Sequence, residues 1–143
     1  ARAVGAEGVH VGQDDLAIAE ARELAGGECF VGRSTHSVAQ AQQAKAEGAD
    51  YIGFGPLFAT PTKPDYIPIG LEEVEHVHQL VTLPIFCIGG IKLANLPQVI
   101  AAGARRVVIV SGLLGAADIA QYARAAQVLL SPKSEIRNQK SEK

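Results

Sequence analysis

Five short stretches of this chain carry residues whose types and spacing suit chemistry on an anionic substrate. The first is Gly12-Gln13-Asp14-Asp15, two adjacent acids ahead of a helical pattern. Acids placed there either cap the helix, whose N-terminal dipole favours negative charge, or offer a carboxylate to Mg²⁺, a hard cation that combines a few carboxylates with substrate phosphates. The second is Arg33-Ser34-Thr35-His36-Ser37. Ser37 is accounted for as a helix cap, and Ser34 carries a hydroxyl that can donate to an anion. His36 is either a structural histidine at a helix start or a general acid–base. The third stretch runs over 53–65 and sets Thr60 and Thr62 beside Lys63 in a proline-rich loop. Such a loop presents hydroxyls and an ammonium to phosphate with little ordering entropy left to lose, and long loops are often binding loops; the alternative is surface turn chemistry. The fourth and fifth, Ile88-Gly89-Gly90-Ile91 and Val110-Ser111-Gly112, pair glycines with a serine, a pattern that lets backbone N–H groups approach a phosphate.

Each stretch follows a short apolar run, and those runs must position them. The strand candidates are Gly8–Val11, Phe30–Gly32, Tyr51–Gly55, Ile85–Ile88 and Val107–Val110. They lack strict alternation, which predicts parallel strands buried on both faces. Helical patterns separate them. Ser37 with Gln40 is a capping-box start, Asn95 ahead of Leu96-Pro97 is another helix start, and Ile119, Tyr122, Ala123, Ala126, Leu129 and Leu130 form one apolar stripe. Gly5-Ala6, Gly48-Ala49 and Gly103-Ala104 recur just before strands, where a left-handed glycine would end a helix and return the chain to the sheet. Strands and helices in alternation predict an α/β fold with a parallel sheet, built as consecutive βα units of a (β/α)8 barrel. In that architecture the loops after the strands form the active-site face.

Composition narrows the class. With 143 residues and 48% apolar content the chain can bury one core, yet a closed eight-stranded α/β barrel needs roughly 200 residues or more. Five units are present, so an incomplete barrel over residues 1–130 is expected, and a chain that starts on Ala1 and contains no Met is expected to be part of a longer one. Residues 131–143 are polar and charge-rich with no apolar stripe, which predicts a disordered tail. A net charge of −2 with acids and bases interspersed gives no footprint for nucleic acid. The absence of an apolar run near 20 residues predicts no membrane span. Cys29 and Cys87 lie in apolar stretches without metal-ligand spacing and are expected to be buried free thiols.

Taken in order and at compatible spacing, Gly8-Val9-His10-Val11-Gly12-Gln13-Asp14-Asp15, Ser34-Thr35-His36, the 53–65 segment and Ile88–Ile91 resemble thiamine-phosphate synthase, from about Ala1 to Leu130. The specific part is Gly-Pro-x-Phe-x-Thr-Pro-Thr-Lys; Gly-Gly-Ile and Val-Ser-Gly occur in many phosphate-binding barrels. The resemblance implies an enzyme that joins a hydroxymethylpyrimidine diphosphate to a thiazole phosphate, releasing pyrophosphate with Mg²⁺. It implies Asp15 as a metal-binding acid, Ser34 and Lys63 as diphosphate ligands with catalytic effect, Thr60 and Thr62 as contacts to the thiazole phosphate, and Gly90, Val110 and Ser111 as the cup for that phosphate. It implies a bacterial cytoplasmic protein, or one of the plastid stroma.

The family's Gln-Leu-Arg-x-Lys and Asn-Asp motifs belong to three strand–helix units that do not occur in these 143 residues. Five units would expose two sheet edges, which implies pairing with a second copy or with a complementary N-terminal polypeptide, and an inactive chain in isolation. A thiazole tautomerase of the same fold would use His36 for proton transfer, but would have no diphosphate for Asp15 and the Thr60-Pro61-Thr62-Lys63 run to serve. A non-catalytic phosphate-binding half-barrel and a sugar-phosphate epimerase are further readings of the glycine loops.

Overall fold

The computed structural model describes residues 1–62 and 64–131. Lys63 and residues 132–143 of the expected tail lie outside the described residues. A single 3₁₀ turn at Arg2–Val4 leads into β1 (Gly8–Val11), α1 (Ile18–Ala25), β2 (Phe30–Thr35), α2 (Val38–Ala46), β3 (Tyr51–Phe54), α3 (Val74–Leu80), β4 (Ile85–Ile88), α4 (Leu96–Ala101), β5 (Val107–Val108), α5 (Ser111–Leu114) and α6 (Ile119–Leu130). The strands pair in sequence order, β1-β2-β3-β4-β5, and every pairing is parallel. Each strand returns through a helix, the repeating βα unit expected of the barrel class.

The strands differ from expectation at their ends and in their faces. β2 continues through Arg33, Ser34 and Thr35 because they pair with Ile52, Gly53 and Phe54 of β3, so Ser34 lies on the strand rather than in the loop. β5 stops at Val108 and β3 at Phe54. The sheet is buried on one face rather than two. Val11, Val31, Ile52, Phe54, Ile85 and Cys87 point toward the helices and join the core with Ile18, Ala41, Val74, Val77, Leu96 and Val99. The residues between them, among them His10, Phe30, Tyr51, Phe86 and Ile88, line a broad open concavity on the inner face.

The Gly-Ala repeat does what its spacing predicts. Gly5, Gly48 and Gly103 have φ of 63°, 87° and 100°. In each copy the glycine N–H reaches back three residues and the alanine N–H reaches back five: Gly48 to Lys45 and Ala49 to Ala44, Gly103 to Ile100 and Ala104 to Val99, Gly5 to Arg2 and Ala6 to Ala1. That is the hydrogen-bond pair of a Schellman ending, which satisfies otherwise orphaned carbonyls and drops the chain into the next strand.

The helix starts differ in how they are capped. Ser37 caps α2, accepting from Gln40 N at 3.2 Å, while the Gln40 side chain accepts from His36 N at 2.7 Å. Asp14 and Asp15 do not cap α1, which begins after Ala17 with no side-chain cap. Asn95 precedes α4 without a capping bond; its side chain instead ties the β4–α4 loop, accepting from Lys92 N at 2.7 Å and donating to Gly90 O at 3.0 Å. The apolar stripe of α6 is only partly covered: Ala126 is buried, while Ile119 and Leu129 are exposed. Cys29 and Cys87 are buried free thiols, as their surroundings predict.

Candidate active site

The C-terminal ends of the strands surround a cavity of about 150 Å³. Of the predicted ligands, Ser34, Thr60, Thr62, Gly90, Val110 and Ser111 all line it. They come from the ends of β2, β3, β4 and β5, so residues 77 positions apart (34 to 111) meet because parallel pairing aligns the strand ends. Lys63 lies outside the described residues, and Asp15 stands on the neighbouring β1–α1 loop, not in the cavity wall.

Two loops build most of the wall. After β3, Leu57 N–H donates to Ile88 O at 2.9 Å and Phe58 N–H to Gly89 O at 3.1 Å, so the 53–65 loop is stitched along the end of β4. Buried Leu57 anchors this seam. A side chain at Gly90 (φ 64°) would bring a Cβ within 2.6 Å of Ala59 O and 2.7 Å of Phe58 Cβ, so only glycine lets the two loops approach this closely. The result is that Thr60, Thr62 and the Gly89–Gly90 backbone all line the same cavity. At the end of β5, the short helix α5 starts at Ser111, whose N–H belongs to the first turn and lacks an intrahelical partner.

The β1–α1 loop is fixed from β2. Arg33 donates to the carbonyls of Leu16 at 3.0 Å and Gln13 at 3.2 Å, and the Gln13 side chain donates to Ser34 O. Within this frame Asp15 folds back so that its Oδ2 accepts from Gly12 N at 2.6 Å. Asp15 is exposed. Among the described residues no group of three His, Cys, Asp or Glu side chains could hold a metal. One carboxylate with a free oxygen fits a cation that takes most of its ligands from water and substrate oxygens, as Mg²⁺ does, and does not fit one that demands a protein cage.

Ser34 looks into both the cavity and the inner concavity. Its Oγ lies 2.9 Å from His10 Nε2, and His10 Nδ1 lies 3.2 Å from the Tyr51 hydroxyl. Burial pushes the Tyr51 phenol above its ordinary value. His36 is committed to structure at one nitrogen: Nδ1 lies 2.5 Å from Gly55 O, and since a carbonyl only accepts, Nδ1 carries the proton. The His36 ring meets Tyr66 edge-on at 5.3 Å. Burial pushes the Cys87 thiol up to about 11, which removes it as a nucleophile at neutral pH.

Sequence reasoning missed four supports of the site: Gln13, Arg33, Asn95 and Tyr122. Tyr122, taken as part of a helix stripe, has its hydroxyl accepting from Leu93 N at 2.8 Å and pressed against Gly112, so α6 joins the β4 loop to the start of α5. Nothing in the spacing marks that contact. A polar residue at His10, in strand period with Gly8 and out of period with Val9 and Val11, is a signal that was present and unused.

Comparison with known proteins puts these features in a family. The family model described as thiamine monophosphate synthase matches residues 1–113. A thiamine-phosphate synthase of Gloeobacter violaceus is 52% identical over 118 residues, covering 82% of this chain and 35% of that protein. One from Pelotomaculum thermopropionicum is 47% identical over 133 residues, covering 92% of this chain and 61% of its relative. The solved thiamine phosphate pyrophosphorylase from Pyrococcus furiosus superposes with a TM-score of 0.81 at 32% identity, over 90% of this chain and 61% of that one. The chain therefore spans about a third to three fifths of the length of these relatives.

Proposed function

We propose, given that this chain belongs to the thiamine monophosphate synthase family, that the protein condenses a hydroxymethylpyrimidine diphosphate with a thiazole phosphate to give thiamine phosphate and pyrophosphate. The observation that carries this reading is the single cavity shared by Ser34, Thr60, Thr62, Gly90, Val110 and Ser111. It offers hydroxyl and amide donors from several strand ends, as two phosphorylated substrates held side by side require.

The chemistry needs no protein nucleophile. The bond from the pyrimidinylmethyl carbon to the diphosphate oxygen breaks, its electron pair leaving with the diphosphate. The thiazole nitrogen then uses its lone pair to form the new C–N bond. Ser34 and Lys63 donate to the diphosphate where negative charge develops. Thr60, Thr62 and the main chain at Gly90, Val110 and Ser111 hold the thiazole phosphate, so that positioning supplies much of the rate. Asp15 would hold Mg²⁺ together with waters and diphosphate oxygens, and the cation's part there is to neutralise the departing charge. The family's second metal acid and further diphosphate ligands fall in the first three βα units, so we take residues 1–130 as part of the catalytic domain, inactive alone and completed by the preceding units. A cytoplasmic setting goes with this reading, since multiply charged substrates do not cross a bilayer unaided.

The tautomerase alternative would need His36 to move protons. Its Nδ1 proton is held by Gly55 O, and the curated relatives carry synthase names, which weighs for the synthase.

The test is thiamine phosphate formation from both phosphorylated precursors with Mg²⁺, run on the full-length protein, its Asp15→Ala variant and the present 143 residues alone. Product from the first, a loss of roughly 10²-fold or more in the second and silence from the third are expected. A full-length protein that makes no product ends the synthase reading.

A further inference from the structure

The β4–β5 ladder ends at the Ile88–Val108 pair, short of the cavity, and among the described residues no backbone hydrogen bond joins 89–95 to 109–115. Gly90 on one of these loops and Val110 and Ser111 on the other nevertheless line one cavity. Their separation has to be set from outside both loops, and Tyr122 is placed to set it. Tyr122 sits in the first turn of α6, a helix packed against both α4 and α5. That turn is itself fixed: Asp118 Oδ1 accepts from Gln121 N at 2.8 Å, and Tyr122 N–H donates to Asp118 O at 3.0 Å. From this half-buried position the Tyr122 hydroxyl accepts from Leu93 N at 2.8 Å. The same oxygen lies against Gly112, where an added Cβ would come within 2.6 Å of it. One phenol oxygen therefore touches both loops, three residues past Gly90 and one past Ser111.

Short stiff links carry that position onward. Asn95 Nδ2 donates to Gly90 O at 3.0 Å while its Oδ1 accepts from Lys92 N at 2.7 Å, so residues 90–92 follow the end held at Leu93. On the other side, Leu114 N–H donates to Val110 O at 2.9 Å and Gly115 N–H to Ser111 O at 3.1 Å, which keeps Val110 and Ser111 in register with Gly112. A phosphate between Gly90 and Ser111 must meet donors from both sides at about 2.7–3.2 Å, so a small change in the gap loses hydrogen bonds on one side. Without the phenol oxygen, the half-buried Leu93 amide has no acceptor to hold it, and the loop carrying Gly90 is released.

We propose that Tyr122 is a positioning residue which, by bridging Leu93 and Gly112, holds Gly90 and Ser111 at the separation that fits the thiazole phosphate. The proposal rests on the reading that this cavity takes that phosphate. Tyr122 does not itself line the cavity, so its effect reaches the substrate only through the two loops.

The test titrates two ligands calorimetrically into the full-length protein: the thiazole phosphate, and inorganic pyrophosphate with Mg²⁺ as a probe of the other half of the site. Tyr122→Phe keeps the ring and removes only the oxygen. It should weaken the thiazole phosphate about 5- to 10-fold, the scale of an amide left without its acceptor, and leave pyrophosphate binding unchanged. In turnover, KM for the thiazole phosphate should rise by the same factor while KM for the pyrimidine diphosphate stays where it is. Gly112→Ala should also weaken the thiazole phosphate, because its methyl pushes the hydroxyl away from Leu93. Adding Tyr122→Phe to Gly112→Ala should then cost less than it does alone, since the two changes break the same bridge. A merely structural role would lower the melting temperature and weaken both ligands alike. Equal losses for the two ligands, an unchanged thiazole phosphate affinity in Tyr122→Phe, additive losses in the double variant, or no thiazole phosphate binding by the wild type would each overturn the proposal. If the selective loss appears in a protein that forms no thiamine phosphate, the positioning role stands and the synthase reading falls; product formed with equal losses gives the reverse.

Discussion

The two faces of the one sheet are built on opposite rules. Toward the helices, Val31, Ile52, Phe54, Ile85 and Cys87 are all at or below 1% exposure, an apolar layer in which Thr35, whose hydroxyl donates to Gly53 O at 2.8 Å, is the one buried polar residue among the described residues, Arg33 being only half-buried. Toward the inside, the same strands present His10, Gly32, Ser34, Tyr51, Gly53 and Phe86, joined by hydrogen bonds and ring contacts and open to solvent on the concave side. The outer layer is interchangeable in kind and depends on volume. The inner layer depends on identity, since a Cβ at Gly32 or a lost hydroxyl at Tyr51 changes which atoms meet. Stability is therefore concentrated on one face and chemistry on the other, one residue apart along each strand.

The largest effect that could break this contrast is on the outer face. Ile52→Ala removes a fully buried side chain and should cost about 2–5 kcal/mol of unfolding free energy in the full-length protein, measured by denaturant melts. Ser34→Ala, on the adjacent strand but inward, should leave stability within about 0.5 kcal/mol while lowering turnover. If Ile52→Ala melts normally, or Ser34→Ala unfolds the protein, the division between the faces is wrong.

A smaller effect sharpens the comparison at the other end of the strands, away from the cavity. Asp50 Oδ2 accepts from Val31 N at 2.7 Å and from Arg22 at 2.8 Å, and Arg22 also donates to the carbonyls of Cys29 and Gly48. Burial pushes the Asp50 carboxyl up, but the Val31 amide and the Arg22 guanidinium outweigh it and hold the group below its ordinary 3.8. A depressed folded value means the stabilisation is present above the unfolded value and lost as pH falls through the folded one. Asp50→Asn should cost about 1–2 kcal/mol near neutral pH, and the gap to wild type should close below about pH 4. A gap that persists into stronger acid would mean that the carboxylate charge is not what matters there.

Much of this was legible in the residues. The five strands, their parallel order and the cavity residues follow from short apolar runs each trailed by Ser, Thr, Gly or Asp. The Gly-Ala endings were legible because one physical need, a left-handed residue followed by a small buried one, permits few sequences. The two-faced sheet was not. In Tyr51-Ile52-Gly53-Phe54 and Ile85-Phe86-Cys87-Ile88 both faces carry apolar residues, so hydropathy hides the alternation that packing reveals. Asn95 misled as a cap, and Asp15 left capping open beside metal binding, because short polar side chains bond equally well to nearby loop amides. The Tyr51–His10 contact joins residues 41 positions apart, a distance that local pattern does not span.

The smallest expected effect tests the outer face through chemistry rather than stability. Cys87 is fully buried within the core cluster, and burial pushes its thiol up to about 11. At neutral pH the fraction of thiolate is then minute, and the thiolate is the reacting species. Iodoacetamide should leave Cys87 unlabelled in the native full-length protein at pH 7.5 and leave turnover unchanged, with labelling by mass spectrometry appearing only in denaturant. Labelling would then report opening of the helix-facing layer, independently of anything bound on the other side of the sheet. Rapid native labelling of Cys87 would show that layer opening locally, and the outer face could no longer be treated as the rigid support against which Ser34, His10 and Tyr51 are held.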